Sequence, residues 1–144
     1  MMKVLIAGEG GQGIQAIAEI LAKAAFLENK KVLYIPNFGV EQRGGVSLAF
    51  VVINDRPVVY PKFAKADILA ILSERSWERV KDYIDPQTKV IKETNNMTVL
   101  GKINKIGKIV SQENLIKALD QRFAKQFAQN PQLRELDIKA LTEI

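Results

Sequence analysis

One run of residues constrains this chain more than any other. It reads Lys3-Val-Leu-Ile-Ala7, then Gly8-Glu-Gly-Gly-Gln-Gly13, then an amphipathic stretch over 14–28. A short apolar run stopped by glycine reads as a buried strand. The stretch after the turn places Ile14, Ile17, Ala18, Leu21, Ala24 and Ala25 at helical spacing. Small residues on such a face suit close packing on a sheet. Asn29 is placed to stop that helix. Lys31-Val-Leu-Tyr-Ile35 reads as a second strand, closed by Pro36. Strand, helix and strand within about thirty residues form a βαβ unit, whose crossover makes the two strands parallel.

The rest of the chain extends this pattern. Residues 46–53 form a longer apolar strand, broken by Asn54-Asp-Arg-Pro57 and resumed over 58–60, which reads as an antiparallel hairpin. Residues 66–72 are another buried strand, and Ser73 caps a helix running through Trp77 and Val80 to about Tyr83. Residues 89–91 read as a strand. The stretch 95–108, with glycines at 101 and 107, is ambiguous. Ser111 caps a helix with Leu115, Ile116, Leu119 and Phe123 on one face, and Pro131 opens a last helix carrying Leu133, Leu136, Ile138 and Leu141. No repeat or linker interrupts the 144 residues, close to the ~150 typical of one domain. The expectation is a single α/β domain over 1–144. It is Rossmann-like and three-layered, with a mostly parallel sheet and one antiparallel hairpin.

Composition matters mainly through two absences. The chain has no cysteine and no histidine. It therefore cannot by itself ligate a zinc finger or a cysteine-bound iron–sulfur cluster, and Ser-His-Asp and Cys-His catalysis are excluded. Lys and Arg number 21 against 16 acidic residues. That mild excess suits an anionic ligand or an acidic partner, and without a clustered basic stripe it does not argue for nucleic acid. No apolar run approaches the ~20 residues of a membrane span, and the start is too short for a signal-peptide core. The expectation is a cytoplasmic protein with no membrane and no nucleic-acid partner.

Two glycine motifs carry the functional reading. The first is Gly8-x-Gly10-Gly11-Gln12-Gly13 between strand and helix, where glycines permit a tight turn and let the backbone approach a phosphate. A dinucleotide site also wants an acid at the end of the second strand, about twenty residues on. Pro36 and Asn37 stand there, and the nearest acid is Glu41. Three readings stay open: a dinucleotide, another phosphate-bearing ligand, or a turn needed only for chain geometry. The second motif is Gly39-Val-Glu41-Gln42-Arg43-Gly44-Gly45. A charged triplet framed by glycines, facing the first loop across the sheet edge, lies where α/β ligand sites form. Arg43 can clamp a phosphate or carboxylate, or Glu41 and Arg43 can simply satisfy each other. Trp77 and Tyr83 read as core or rim aromatics. Lys102, Lys105 and Lys108 read as a solvated face.

Together, Gly8-Glu-Gly-Gly-Gln-Gly-Ile14 and Pro36-Asn-Phe-Gly-Val-Glu-Gln-Arg-Gly-Gly-Val-Ser47 resemble the gamma subunit, or gamma domain, of the 2-oxoacid:ferredoxin oxidoreductases. These are the pyruvate, 2-ketoisovalerate, 2-oxoglutarate and indolepyruvate enzymes. Arg56-Pro-Val-Val-Tyr-Pro61, Ala66-Asp67-Ile-Leu and Asn96-Met-Thr-Val-Leu-Gly101 fit the same pattern, and the similarity reaches about residue 127. Between Ile91 and Asn95 a strand and helix common in relatives are missing, and the tail after Asn130 departs from theirs.

The resemblance implies a complex that oxidatively decarboxylates a 2-oxoacid to an acyl-coenzyme A and reduces ferredoxin. Thiamine diphosphate with Mg is then held by alpha- and beta-type subunits and [4Fe-4S] clusters largely by a delta-type chain, with coenzyme A as cosubstrate. This chain binds none of these cofactors alone and carries no catalytic residue and no metal. It assembles the complex or shapes its coenzyme A side, through Gly8, Gly10, Gly11, Gln12 and Gly13 and through Gly39, Glu41, Gln42, Arg43, Gly44 and Gly45. The alternative is a free-standing nucleotide- or coenzyme-A-binding module. An isolated subunit should also expose apolar docking residues, for which Phe38, Val40 and Phe63 are candidates.

Overall fold

A computed structural model describes residues 1–38, 45–58 and 63–144, with the Phe38 side chain outside that description. Eleven regular elements and a 3₁₀ turn are seen among them. They are β1 (Met2–Glu9), α1 (Ile14–Leu27), β2 (Lys31–Phe38), β3 (Val46–Asn54), β4 (Ile68–Ile71), α2 (Glu74–Val80), the 3₁₀ turn Lys81–Tyr83, β5 (Lys89–Lys92), α3 (Asn96–Gly107), α4 (Gln112–Arg122), α5 (Ala124–Gln129) and α6 (Pro131–Thr142).

The strands form one mixed sheet in the order β2-β3-β1-β4-β5. β1 pairs in parallel with β4, and β4 with β5, whereas β3 is antiparallel to both β1 and β2. Four strands thus run the same way, but half of the pairings are antiparallel. This corrects the mostly parallel reading. β1 and β2 do share a direction, as the βαβ pattern required, yet β3 lies between them with Val4 opposite Val51 and Tyr34 opposite Val51 on its other side. The antiparallel hairpin is therefore β2–β3. The expected partner of residues 46–53 was 58–60. Val58 lies outside any strand, and residues 59 and 60 fall outside the described residues.

The reason is burial. β3 is buried on both faces from Val46 to Ile53, so it belongs in the sheet interior, where two neighbours satisfy both edges of its backbone. β2 lies at the edge and runs through Pro36 to Phe38 instead of stopping. An edge strand tolerates proline because one row of its N–H groups needs no partner in the sheet.

Each sheet face carries its own core. On one, Val4, Ile6, Val51 and Ile68 pack under α1, α3 and α4, joined by Phe127 and Leu141 from the last two helices. On the other, Leu5, Ala7, Phe50, Leu69 and Ile71 pack with Val80, Trp77 and Tyr83 of α2 and the turn after it. The three layers and the rim placement of Trp77 and Tyr83 agree with the sequence reading. Phe63 does not stand exposed: it is half-buried, with ring centroids 5.4 Å from Phe50 and 6.2 Å from Tyr83. Val40, the other docking candidate, lies outside the described residues with the Phe38 side chain.

The stretch 95–108 is a complete helix. Asn95 caps it by accepting the Thr98 N–H at 3.0 Å, and Lys108 ends it in the left-handed region at φ 48°. The caps read at Ser73 and Ser111 form as expected, each hydroxyl accepting the N–H three residues on. Asn29 stops α1 at φ 63°. No helix among the described residues is long and apolar enough to cross a membrane.

Candidate functional site

β1, β4 and β5 end at one edge of the sheet, and α1, α2 and α3 begin there. The first glycine motif forms the loop from β1 into α1. Gly8 still pairs with Ser47 in the ladder and is buried. A Cβ at Gly8 would lie 2.5 Å from Ile14 Cδ1 and 2.8 Å from Gln12 Oε1, so any larger residue there would displace the Ile14 and Gln12 side chains. Gly13 caps α1 at φ 75°, a conformation that disfavours side chains, and a Cβ there would run into the Asn96 side-chain amide. Gly11, at φ 91°, faces open space.

Gln12 ties this loop together. Its Oε1 accepts the Glu9 N–H at 2.8 Å and its Nε2 donates to Leu72 O at 3.0 Å, on the turn from β4 into α2. Its own N–H donates to Glu9 O at 3.1 Å. Glu9 pairs with Arg75 at 3.4 Å on α2. Beside this turn a cleft of about 370 Å³ lies between Ser73 and Trp77 on one side and Lys92 and Thr94 on the other. The Lys92 ammonium sits 5.3 Å from the Trp77 ring centroid, and Lys102 pairs with Glu93 at 3.2 Å. The backbone N–H of Thr94, and after it Lys102, hold the Glu93 carboxyl below its ordinary value.

The two motifs meet. Gly10 N–H donates to Gly45 O at 2.9 Å, the end of the second motif. Gly45 is buried. Gly39, Glu41, Gln42, Arg43 and Gly44 lie outside the described residues. The structure therefore brings Gly8, Gly10, Gly11, Gln12, Gly13 and Gly45 to one edge.

Sequence reasoning missed three side chains that support this edge. Gln15 Nε2 donates to Ser47 Oγ at 2.9 Å and to Leu48 O at 2.8 Å, and its Oε1 accepts the Tyr34 hydroxyl. Burial first, then the Glu19 charge, pushes the Tyr34 hydroxyl up to about 12. No local pattern marks Gln15, because its partners lie 32 and 19 residues away. The third is Asn96, against Gly13.

The strand order bears on the dinucleotide reading. A dinucleotide crevice uses β1 and β2 as neighbours, with the ribose-binding acid at the end of β2. Here β3 separates them, and the end of β2, Pro36-Asn-Phe38, carries no acid. Among the described residues no group of three or more His, Cys, Asp or Glu is placed to hold a metal ion.

Known proteins resemble this chain in sequence and in fold. The family model described as pyruvate ferredoxin/flavodoxin oxidoreductase matches residues 3–95, a span that contains both glycine motifs. A 2-oxoglutarate synthase subunit, KorC, of Methanocaldococcus jannaschii is 31% identical over an alignment of 151 positions, covering 81% of each chain. The common gamma subunit of the pyruvate/ketoisovalerate oxidoreductases of Thermococcus litoralis is 42% identical over 73 residues, which is 50% of this chain and 40% of that one. Among solved structures, a keto/oxoacid ferredoxin oxidoreductase gamma subunit from Geobacter sulfurreducens superposes with TM-score 0.73 at 20% identity, over 98% of both chains. A 2-oxoglutarate:ferredoxin oxidoreductase from Magnetococcus marinus, solved with coenzyme A bound, superposes with TM-score 0.84 at 20% identity, over 97% of this chain and 29% of that one.

Proposed function

The chain belongs to the pyruvate ferredoxin/flavodoxin oxidoreductase family, and from that premise we propose that it is the gamma subunit of a cytoplasmic 2-oxoacid:ferredoxin oxidoreductase. In that role it works with alpha-, beta- and delta-type chains that hold thiamine diphosphate, Mg and the iron–sulfur clusters. The chain has no cysteine or histidine to offer a cluster. It adds a shaped surface to the complex, not a reacting group. The edge built from the two glycine motifs faces the coenzyme A side of the assembly. The observation that carries this is the joining of both motifs at that edge, through Gly10 N–H and Gly45 O, within the span that the family model matches. The geometry adds support: Gln12 and the glycines present a rigid, mostly backbone surface at the C-terminal ends of the parallel strands, where α/β folds receive ligands.

A native pull-down from the source cell tests this, the eluate being assayed for viologen reduction with a panel of 2-oxoacids plus coenzyme A. The expected result is co-purification of thiamine-binding and iron–sulfur chains with one 2-oxoacid preferred, and no turnover by the purified chain. A lone chain of 16.1 kDa that turns over or binds no partner overturns the proposal.

A further inference from the structure

We propose that the outer edge of β5 receives a second copy of this chain, the two β5 strands pairing antiparallel about a two-fold axis at Ile91. The inference does not depend on the gamma-subunit reading. β5 ends the sheet, with β4 as its one neighbour, and residues 84–107 around it are all described. Lys89 N–H donates to Asp67 O at 2.9 Å and Glu93 N–H to Ile71 O at 3.3 Å. Alternate residues from Lys89 to Glu93 therefore turn their backbone toward β4, and Val90 and Lys92 turn both N–H and C=O outward. The open stretch is closed at each end. Thr88 N–H donates to Asp85 O and Thr94 N–H to Glu93 Oε1, both at 3.1 Å. An apolar side chain stands exposed on each side of this edge. Val90, opposite Leu69 on the α2 side of the sheet, is 41% exposed, and Lys92 beside it lies over Trp77. Ile106, 44% exposed, follows Lys102 by four residues, so it lies on the side of α3 that meets Glu93.

A short edge flanked by lysines ordinarily discourages pairing. What singles out a second copy is that this edge is complementary to itself. An antiparallel partner forms hydrogen bonds only where outward residues face outward residues. With the axis at Ile91, Val90 of each strand faces Lys92 of the other, and every outward N–H and C=O of the two residues finds a partner. Lys89 of each strand then faces Glu93 of the other, which sets opposite charges across the pair on the α3 side. The neighbouring registers are poorer. With the axis at Val90, Lys92 faces Thr88, whose N–H is already used. With the axis at Lys92, two ammonium groups face each other. A two-fold pair also consumes the edge that makes it, so association stops at the dimer.

Sedimentation of the full chain tests this. The paired surface is small, so a dimer is expected at about 100 μM chain and a monomer at about 1 μM. Val90→Pro loses an outward N–H and keeps the bonds to β4, so it should weaken dimerisation about tenfold with the urea midpoint of the monomer nearly unchanged. Lys89→Glu should also weaken it, and adding Glu93→Lys should restore it. A monomer at the higher concentration, or a dimer indifferent to Val90→Pro, overturns the proposal. Crosslinking reads the register. The chain has no cysteine, so one introduced thiol bridges only to a second copy. Ile91→Cys should crosslink on oxidation, because facing Cα atoms of such a pair stand about 4.5 Å apart. Val90→Cys should not, because its two copies lie on a diagonal of about 8 Å, beyond disulfide reach. Equal crosslinking of the two variants overturns the register. A chain that stays monomeric, and whose Val90 and Lys92 amides gain exchange protection only when another protein co-purifies, overturns the second copy in favour of a strand from that protein.

Discussion

Gly13 and Gly101 occupy two regions of the molecule that use glycine for different reasons. Gly13 sits at the sheet edge, where φ 75° makes the chain turn from strand into helix. Gly101 sits in the middle of α3 with ordinary helical geometry, and a Cβ there would run into the backbone carbonyl of Leu141. The first glycine is required by its own dihedral angle, the second by another helix forty residues away. The edge is thus built from local turn geometry reinforced by side-chain hydrogen bonds, whereas the helical cap of α3 and α6 is built from close backbone approach. A change at the edge should be felt locally, and a change in the cap should move a whole element.

Gly101→Ala should have the largest effect. Leu141 O is backbone and cannot rotate away, so α6 must shift or detach. Overpacking of this kind costs about 1–3 kcal/mol, readable as a lower urea midpoint. Amide protection at Gly10 and Gln12 should stay unchanged. Loss of protection there would break the separation between the two regions.

Gly13→Ala should come next. A side chain held in the left-handed region costs about 1–2 kcal/mol, and the Asn96 amide it meets is the end of a side chain that can swing aside. The expected signature is a lower melting temperature with faster exchange confined to residues 8–14. If α6 loosens as well, Asn96 transmits strain along α3 and the two regions are one.

The same contrast explains what was legible in the sequence. Gly8 to Gly13 could be read because strand, turn and helix follow one another within a few residues. Ser73, Asn29 and Ser111 could be read for the same reason, since each cap or stop bonds within its own turn. The stretch 95–108 could not, because Gly101 looks like a helix breaker until Leu141 is placed against it. The position of β3 between β1 and β2 was also hidden, because an apolar run does not state which strands flank it. Gln15 stayed invisible because Tyr34 and Ser47 converge on it only once that strand order exists. Of the candidate site, the glycines were legible and the side chains that hold them were not.

Tyr34→Phe should have a smaller effect, since it removes one hydrogen bond to Gln15 and leaves the ring packed. The loss expected at neutral pH is about 1 kcal/mol. The pH dependence carries a second sign. Burial raises the Tyr34 hydroxyl from 10.0 to about 12, so the unfolded chain ionises first. Its contribution is complete below pH 10 and declines as pH climbs toward about 12. Urea titrations at pH 7 and pH 11 should show a smaller gap between the two proteins at pH 11. An equal gap at both values would mean that burial does not hold the hydroxyl protonated in the folded chain.

Glu28→Gln probes the link between α1, which Gly13 opens, and α4, and should have the smallest effect. Glu28 follows the end of α1, and its Oε2 accepts the Asn114 side-chain amide at 2.9 Å and the Ser111 N–H at 2.7 Å at the start of α4. Those two bonds, Asn114 first, hold its carboxyl below the ordinary 4.5, and the Lys30 charge comes last. A depressed carboxylate contributes stability above its ordinary value and loses it as pH falls through the depressed one. The variant should therefore differ from the parent near neutral pH and converge with it in acid. Because hydrogen bonds outrank the Lys30 charge, raising salt from 0.1 M to about 1 M, which shortens the screening length from about 10 to 3 Å, should leave most of the difference in place. If salt removes it, the link between α1 and α4 is held by charge and is weaker than its geometry implies.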